Sequence, residues 1–221
     1  MWGSYFSLLL LYLPFVIALD MNVSISKTWD DRPVDHESTV LRIHSEDDAV
    51  YMEIKAPFFD DQPTPTGPGK SFNKLWDYEV VEAFFLGKDE KYLELEFSPH
   101  GYHLVLLLSG RKKAIKICLP VDYTAQIKGN SWTGVAKIPK SYFPPNVTHF
   151  NAYAIHGTGD GRTYEALFPV PTGQFKTPDF HRLEFFHYIN FENILGLGNT
   201  LSDVWKTALE EKDYGKCDNE K

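Results

Sequence analysis

Cysteine is nearly absent. Cys118 and Cys217 are the only two in 221 residues, so the chain carries neither a disulfide framework nor closely spaced thiols, and reduced cysteines are expected. Basic charge is also scarce: 22 Lys and Arg stand against 30 Asp and Glu, a formal net charge of −8. That balance excludes the clustered cationic surface that phosphate contacts require, so no nucleic-acid partner is expected. The one basic run, Arg111-Lys112-Lys113, reads as a solvated turn. No G-x-S-x-G elbow, phosphate-cradling glycine loop or His/Cys metal spacing occurs, and Gly157-x-Gly159-x-Gly161 lacks the following helix that a dinucleotide site needs. No cofactor, no metal and no catalytic residue is predicted on these grounds. No Pro/Gly/Ser-rich linker divides the chain into comparable halves, which favours one domain.

The first twenty residues stand apart. Residues 6–19 form an uninterrupted apolar run containing Pro14, shorter than the roughly 20 residues of a membrane span and resembling a signal-peptide core. No stable membrane span is expected. The stretch before it has no Lys or Arg, and Met21 offers a second translation start. A cytosolic domain beginning at Met21 is therefore the favoured expectation, with secretion after cleavage near Ala18 as the alternative. In the secreted case the triplets at Asn22 and Asn146 become glycosylation acceptors.

What the sequence has in quantity is aromatic and β-branched residues, including 16 Phe, 12 Tyr and 5 Trp, a composition that suits pleated structure. Residues 50–56 alternate Val50, Met52, Ile54 and Ala56 against Tyr51, Glu53 and Lys55, a half-buried strand. Residues 78–86, 92–97 and 103–108 follow with short turns between them, an antiparallel meander. Residues 40–43, 114–119, 132–138, 149–156 and 162–168 read as further strands, the last two joined by the glycine-rich turn 157–161. Residues 60–73, with three prolines and two glycines, form a long loop. The spacing predicts an all-β antiparallel sandwich over 21–190. The remainder, 191–221, carries one short amphipathic helix at 202–212 and a frayed tail after Asp213.

Within that frame a few polar residues stand out. Glu82 shares its strand face with Val80, Phe84 and Leu86, where a lone carboxylate is costly to bury and needs a partner or a wet cleft. Glu94 and Glu96 share one face and read as a solvated outer strip. His156 stands beside Ala152 and Ala154, whose small side chains leave room for a groove. Arg162, one hairpin away, suits a bidentate contact with a polar ligand, or an internal pair with Glu82 or Glu165. Glu82, His156 and Arg162 are expected to converge on one concave face lined by Tyr164 or Trp76. Trp29, Trp76 and Trp132 offer flat apolar faces for a sugar ring, although each also suits a sandwich core.

The blocks LWDYEVVEAFFL (75–86), YLELEFSPHGYHLVLLLSGR (92–111), FNAYAIHG (150–157), RTYEALFPVP (162–171) and PDFHRLEFF (178–186) closely resemble an uncharacterised protein family, represented in human by the product of chromosome 4 open reading frame 33. More remotely they are similar to family 9 carbohydrate-binding-module and DOMON-like sandwiches. The resemblance implies a carbohydrate-binding-like β-sandwich and brings no reaction with it. Some related sandwiches hold haem between a Met and a later His, a role for which only Met52 and His156 qualify here, and Met52 lies on an apolar strand face that suits the core. The expected function is a non-catalytic module for a glycan or polar small molecule. A hydrolase using Glu82 with Glu94 or Glu96 and an intracellular scaffold offering its edge strands to partners are the alternatives.

Overall fold

Period-two alternation of apolar side chains over most of the chain leaves little but strands. The computed structural model describes residues 20–61, 70–196, 198, 200–211 and 214–220. Residues 1–19 of the signal-like stretch and 62–69 of the long loop lie outside the described residues. In chain order the strands are β1 (Met21–Ile25), β2 (Thr39–Glu46), β3 (Ala49–Pro57), β4 (Val80–Leu86), β5 (Lys91–Phe97) and β6 (His103–Ser109). They continue as β7 (Ala114–Ile117), β8 (Asp122–Lys128), β9 (Ser131–Pro139), β10 (His149–His156), β11 (Thr163–Ala166) and β12 (His187–Tyr188). One sheet has the order β1-β2-β3-β9-β8 and the other β11-β10-β4-β5-β6-β7, with β12 also pairing β10. Every pairing between these strands is antiparallel. The fold is an antiparallel β-sandwich.

The two sheets bury a common core. Leu41, Ile43, Met52 and Ile54 from one meet Val81, Ala83, Phe85, Leu93, Leu95 and Phe97 from the other. Met52 is fully buried there, opposite Ile43 and Ala136. The meander is apolar on its other face as well: Leu104, Leu106 and Leu108 of β6 join Val80, Phe84 and Tyr92 in a second cluster with Phe180, Leu183 and Phe186. A sheet covered on both sides loses the polar-out alternation of a solvated sandwich face. That explains the unbroken run Leu104-Val105-Leu106-Leu107-Leu108.

The C-terminal segment folds back onto this body through α1 (Glu192–Leu195) and α2 (Asp203–Glu210). Ser202 caps α2 by accepting from the Trp205 backbone N–H, and Trp205, fully buried, donates its indole N–H to the Tyr142 carbonyl at 2.9 Å. Beyond α2 the tail is anchored, which corrects the expectation of fraying after Asp213. Ile117 donates its backbone N–H to the Tyr214 carbonyl, Ser71 donates to Asp218 at 2.9 Å, and Cys217 is bonded to Cys118. The expectation of reduced thiols is corrected with it. Two cysteines 99 residues apart give no spacing signal, and only the return of the tail to β7 brings them together.

A crosslink closing so long a loop stabilises mainly by restricting the unfolded chain, by about 2–4 kcal/mol. Cys217→Ser should therefore lower the unfolding free energy of protein prepared under oxidising conditions by that amount, as should a strong reductant. Denaturant unfolding measures it, and an unchanged midpoint would contradict the assignment.

Candidate functional site

Strand register decides which polar residues meet. Tyr153 on β10 lies opposite Glu82 on β4, Glu82 opposite Glu96 on β5, and Glu96 opposite Leu104 on β6. In the neighbouring row, Phe84 faces Glu94 and Glu94 faces Leu106. Directly opposed residues share a sheet face, so Glu82, Glu94 and Glu96 all project from the outer face of the seven-stranded sheet. They are 2, 4 and 0 % exposed. The expected solvated strip at Glu94 and Glu96 is thus overturned, because the 178–186 segment and the 3-10 turn at Leu75–Asp77 cover that face.

Between those covering segments a cleft of about 450 Å³ opens over the sheet. Leu106, Leu108 and Ile155 line it together with Glu82 and Glu94, and Trp76, Tyr164 and Phe180 supply aromatic walls. Trp76 is 39 % exposed. Phe180 stacks on Tyr153 at 3.9 Å between centroids. Lys112 and Asp179 form a 2.8 Å ion pair among the lining residues, and His181 Nδ1 lies 2.8 Å from the Tyr92 hydroxyl. Two other depressions, of about 400 and 530 Å³, hold no buried acid in their linings.

The carboxyls here are unusually acid-weakened. Burial pushes Glu94 up to about 8. Burial, then the charge of Glu94, drives Glu82 well above the usual carboxylate range, with Arg162 pulling more weakly the other way. Glu96 is raised well above that range by burial and by the charges of Glu82 and Glu94. Like charges this close in a dry site cannot all ionise. Burial and mutual repulsion favour the protonated form of all three. Glu94 Oε2 and the Glu96 carboxyl oxygens have no hydrogen-bond partner among the described residues other than each other.

Arg162 forms no ion pair with Glu82 or Glu165 among the described residues, which corrects that alternative. Its guanidinium donates to the Trp76, Asp77 (3.0 Å) and Gly157 (3.3 Å) carbonyls and lies 5.6 Å from the centre of the Tyr164 ring. Arg162 thus ties the turn carrying Trp76 to the β10–β11 hairpin. Removing a charged donor from carbonyls in a partly exposed site costs about 1–2 kcal/mol. Arg162→Ala should lower stability by that much, and Arg162→Lys, lacking the planar fork, should restore less than half of the loss. Denaturant unfolding of the two variants checks both statements.

The expected three-way convergence fails at His156. It lies on β10 in the same alternation as Phe150, Ala152 and Ala154, which face the inter-sheet core, whereas Tyr153 and Ile155 share the Glu82 face. One residue of parity separates them. His156 packs parallel to Phe59 at 3.6 Å and lies 2.8 Å from Glu165. Of the proposed wall residues, Trp76 and Tyr164 do line the cleft with Glu82, while Trp132 is core at 1 % exposure and Trp29 is half-buried against the outer cluster. Sequence reasoning missed Lys112, Asp179, Phe180 and His181. Nothing in local pattern shows that the 178–181 loop returns over the meander.

Two antiparallel sheets, with an aromatic-walled cleft on the outer face of one, make this an antiparallel β-sandwich. A candidate carbohydrate-binding protein from Bacteroides uniformis ATCC 8492 shares this fold with a TM-score of 0.56 at 17% identity, over 77% of this chain and 85% of its own. A family 9 carbohydrate-binding module from Caldicellulosiruptor kristjanssonii, solved with cellotriose, aligns at 10% identity and a TM-score of 0.43 over 81% of this chain and 83% of its own. No protein-family model matches the chain. The human UPF0462 protein C4orf33 is 52% identical over 192 residues, covering 84% of this chain and 96% of the human protein. The chain belongs to the UPF0462 family.

Proposed function

We propose that the outer cleft binds a neutral saccharide without transforming it. The observation that carries this reading is a half-exposed indole, Trp76, beside the buried carboxyls of Glu82 and Glu94 in the cleft lining. A sugar ring has an apolar C–H face that stacks on an indole and hydroxyls that give and accept hydrogen bonds. A carboxyl kept neutral by its surroundings can do both in return. The likeness in fold to the Bacteroides candidate supports the ligand class.

The hydrolase alternative is disfavoured by the arrangement of the acids. Glycosidases place two carboxyls on either side of the scissile bond and hold one ionised while the other keeps its proton. Glu82, Glu94 and Glu96 project side by side from one sheet face, and all are driven in the same direction. A thermal-shift and calorimetric screen against neutral cello-, xylo- and chito-oligosaccharides tests the reading, since a ligand bound to the folded state raises apparent stability. At least one class should bind and be recovered chemically unchanged. No binding by any class, or release of shortened products, would refute it.

A further inference from the structure

On the opposite face of the same sheet, His36, His156 and Glu165 come together from three separate segments. We propose that they form a binding site for a divalent first-row metal of the zinc type, independent of the outer cleft. Their ligand atoms all lie within 4.8 Å of one another. His156 Nε2 is 2.8 Å and His36 Nε2 2.9 Å from the same oxygen, Glu165 Oε1. Metal bonds of about 2.0–2.2 Å set tetrahedral ligand atoms roughly 3.3–3.6 Å apart, so each histidine nitrogen needs to move away from Glu165 Oε1 by less than about 1 Å.

The hydrogen-bond pattern around His36 strengthens the case. Its Nδ1 lies 2.9 Å from the Glu37 carbonyl. A carbonyl can only accept, so Nδ1 carries a proton, which is the tautomer that turns the Nε2 lone pair toward Glu165 in a metal-binding ring. Nε2 sits 2.9 Å from Glu165 Oε1 in a geometry that makes no hydrogen bond with it. A cation shared by the two atoms suits that geometry. Anchoring the far nitrogen of a ligating histidine on a carbonyl is also how metal sites fix tautomer and ring orientation.

Glu165 supplies the charge. It is 0 % exposed, its Oε1 is hydrogen-bonded to His156 Nε2 at 2.8 Å, its Oε2 has no hydrogen-bond partner, and no Lys or Arg pairs with it among the described residues. A buried carboxylate in that state needs a compensating cation. Phe59 stacks on His156 and meets His36 edge-on at 5.0 Å, holding both rings in a low-dielectric pocket. Two imidazoles and one carboxylate match the ligand set of first-row divalent ions and leave coordination positions for water or a further ligand. The residues are too scattered in the chain, at 36, 156 and 165, to give a motif.

The test uses the full chain stripped with a chelator, titrated with zinc by calorimetry, and separately loaded with cobalt(II) for its visible spectrum. Wild-type protein should bind one equivalent of zinc and give the intense d–d bands of a four- or five-coordinate cobalt site. His36→Ala, on the β1–β2 connection, should weaken zinc by more than about 100-fold, beyond the loss caused by removing an outer-shell partner, and should abolish the bands. His44→Ala, a histidine packed on Tyr51 away from the cluster, should change neither. Absence of stoichiometric zinc binding in the wild type, or binding untouched by His36→Ala, would overturn the proposal. Because the wild-type titration stands alone, a variant that fails to fold does not shield the claim.

Discussion

Raising the pH from about 6.5 to about 8.5 should lower the unfolding free energy by several kcal/mol, and Glu94→Gln should make that fall shallower by about 1.4 kcal/mol per pH unit near pH 6.5, declining to about half of that near pH 8. The sign follows from the folded-state acidities. Glu94 rises from 4.5 to about 8 through burial, and Glu82 and Glu96 are raised well above 4.5. A carboxyl raised on folding contributes stability that is fully present below its unfolded value and is lost as pH climbs through the folded value. His103 and His181 work in the opposite sense. Burial lowers both to about 4, so their contribution is complete above the unfolded histidine value and lost on acidification below it. Above about pH 6.5 the buried acids therefore set the slope, together with the end of the Glu79 titration, which burial raises to about 7. Chemical unfolding at a series of pH values measures it. A flat or rising profile across that window would show that these carboxyls are not held protonated.

The second large effect is on binding. Trp76→Ala should weaken the saccharide by at least about 30-fold, some 2 kcal/mol, as expected for an aromatic anchor, and lower stability by about 1–2 kcal/mol, less than a core tryptophan costs. The two readouts separate because Trp76 gives the fold mainly its backbone. Its carbonyl accepts from Arg162, and alanine retains that carbonyl. The indole itself is 39 % exposed on the cleft wall, so its loss does not open the inter-sheet core. Trp132→Ala in the inter-sheet core should cost more stability, about 3–5 kcal/mol. A Trp76→Ala protein that binds as tightly as wild type, or one that unfolds outright, would refute the assigned role.

Most of the sandwich was legible because alternation is a strong signal where one face is buried. Residues 50–56 and 92–97 gave their strands and inward side chains directly. β1 and β8 went unread: β1 alternates over only five residues beside the apolar N-terminal run, and β8, an edge strand, has no fully buried residue. For the candidate site, Glu82, Trp76 and Tyr164 were legible as polar or aromatic exceptions within apolar runs. Their grouping was not, because it depends on register between strands that are distant in sequence. The Tyr153–Glu82 pairing puts Ile155 on the cleft side and sends His156 to the other face. The solvated reading of Glu94 and Glu96 failed for a related reason, since local pattern shows that they share a face and not that residues 178–186 return to cover it. The disulfide and the His36–His156–Glu165 cluster join segments brought together only by the finished fold.

The claim that the outer cleft is the ligand site is tested most directly by the indole N–H resonances in a two-dimensional ¹H–¹⁵N NMR titration with a saccharide identified in the screen. Trp76 lines the cleft, whereas Trp132 and Trp205 are buried in the inter-sheet core. The expected result is a saturable shift of the Trp76 indole signal, with Trp132 and Trp205 unmoved. A saturable titration that leaves the Trp76 signal in place while shifting residues elsewhere would contradict it.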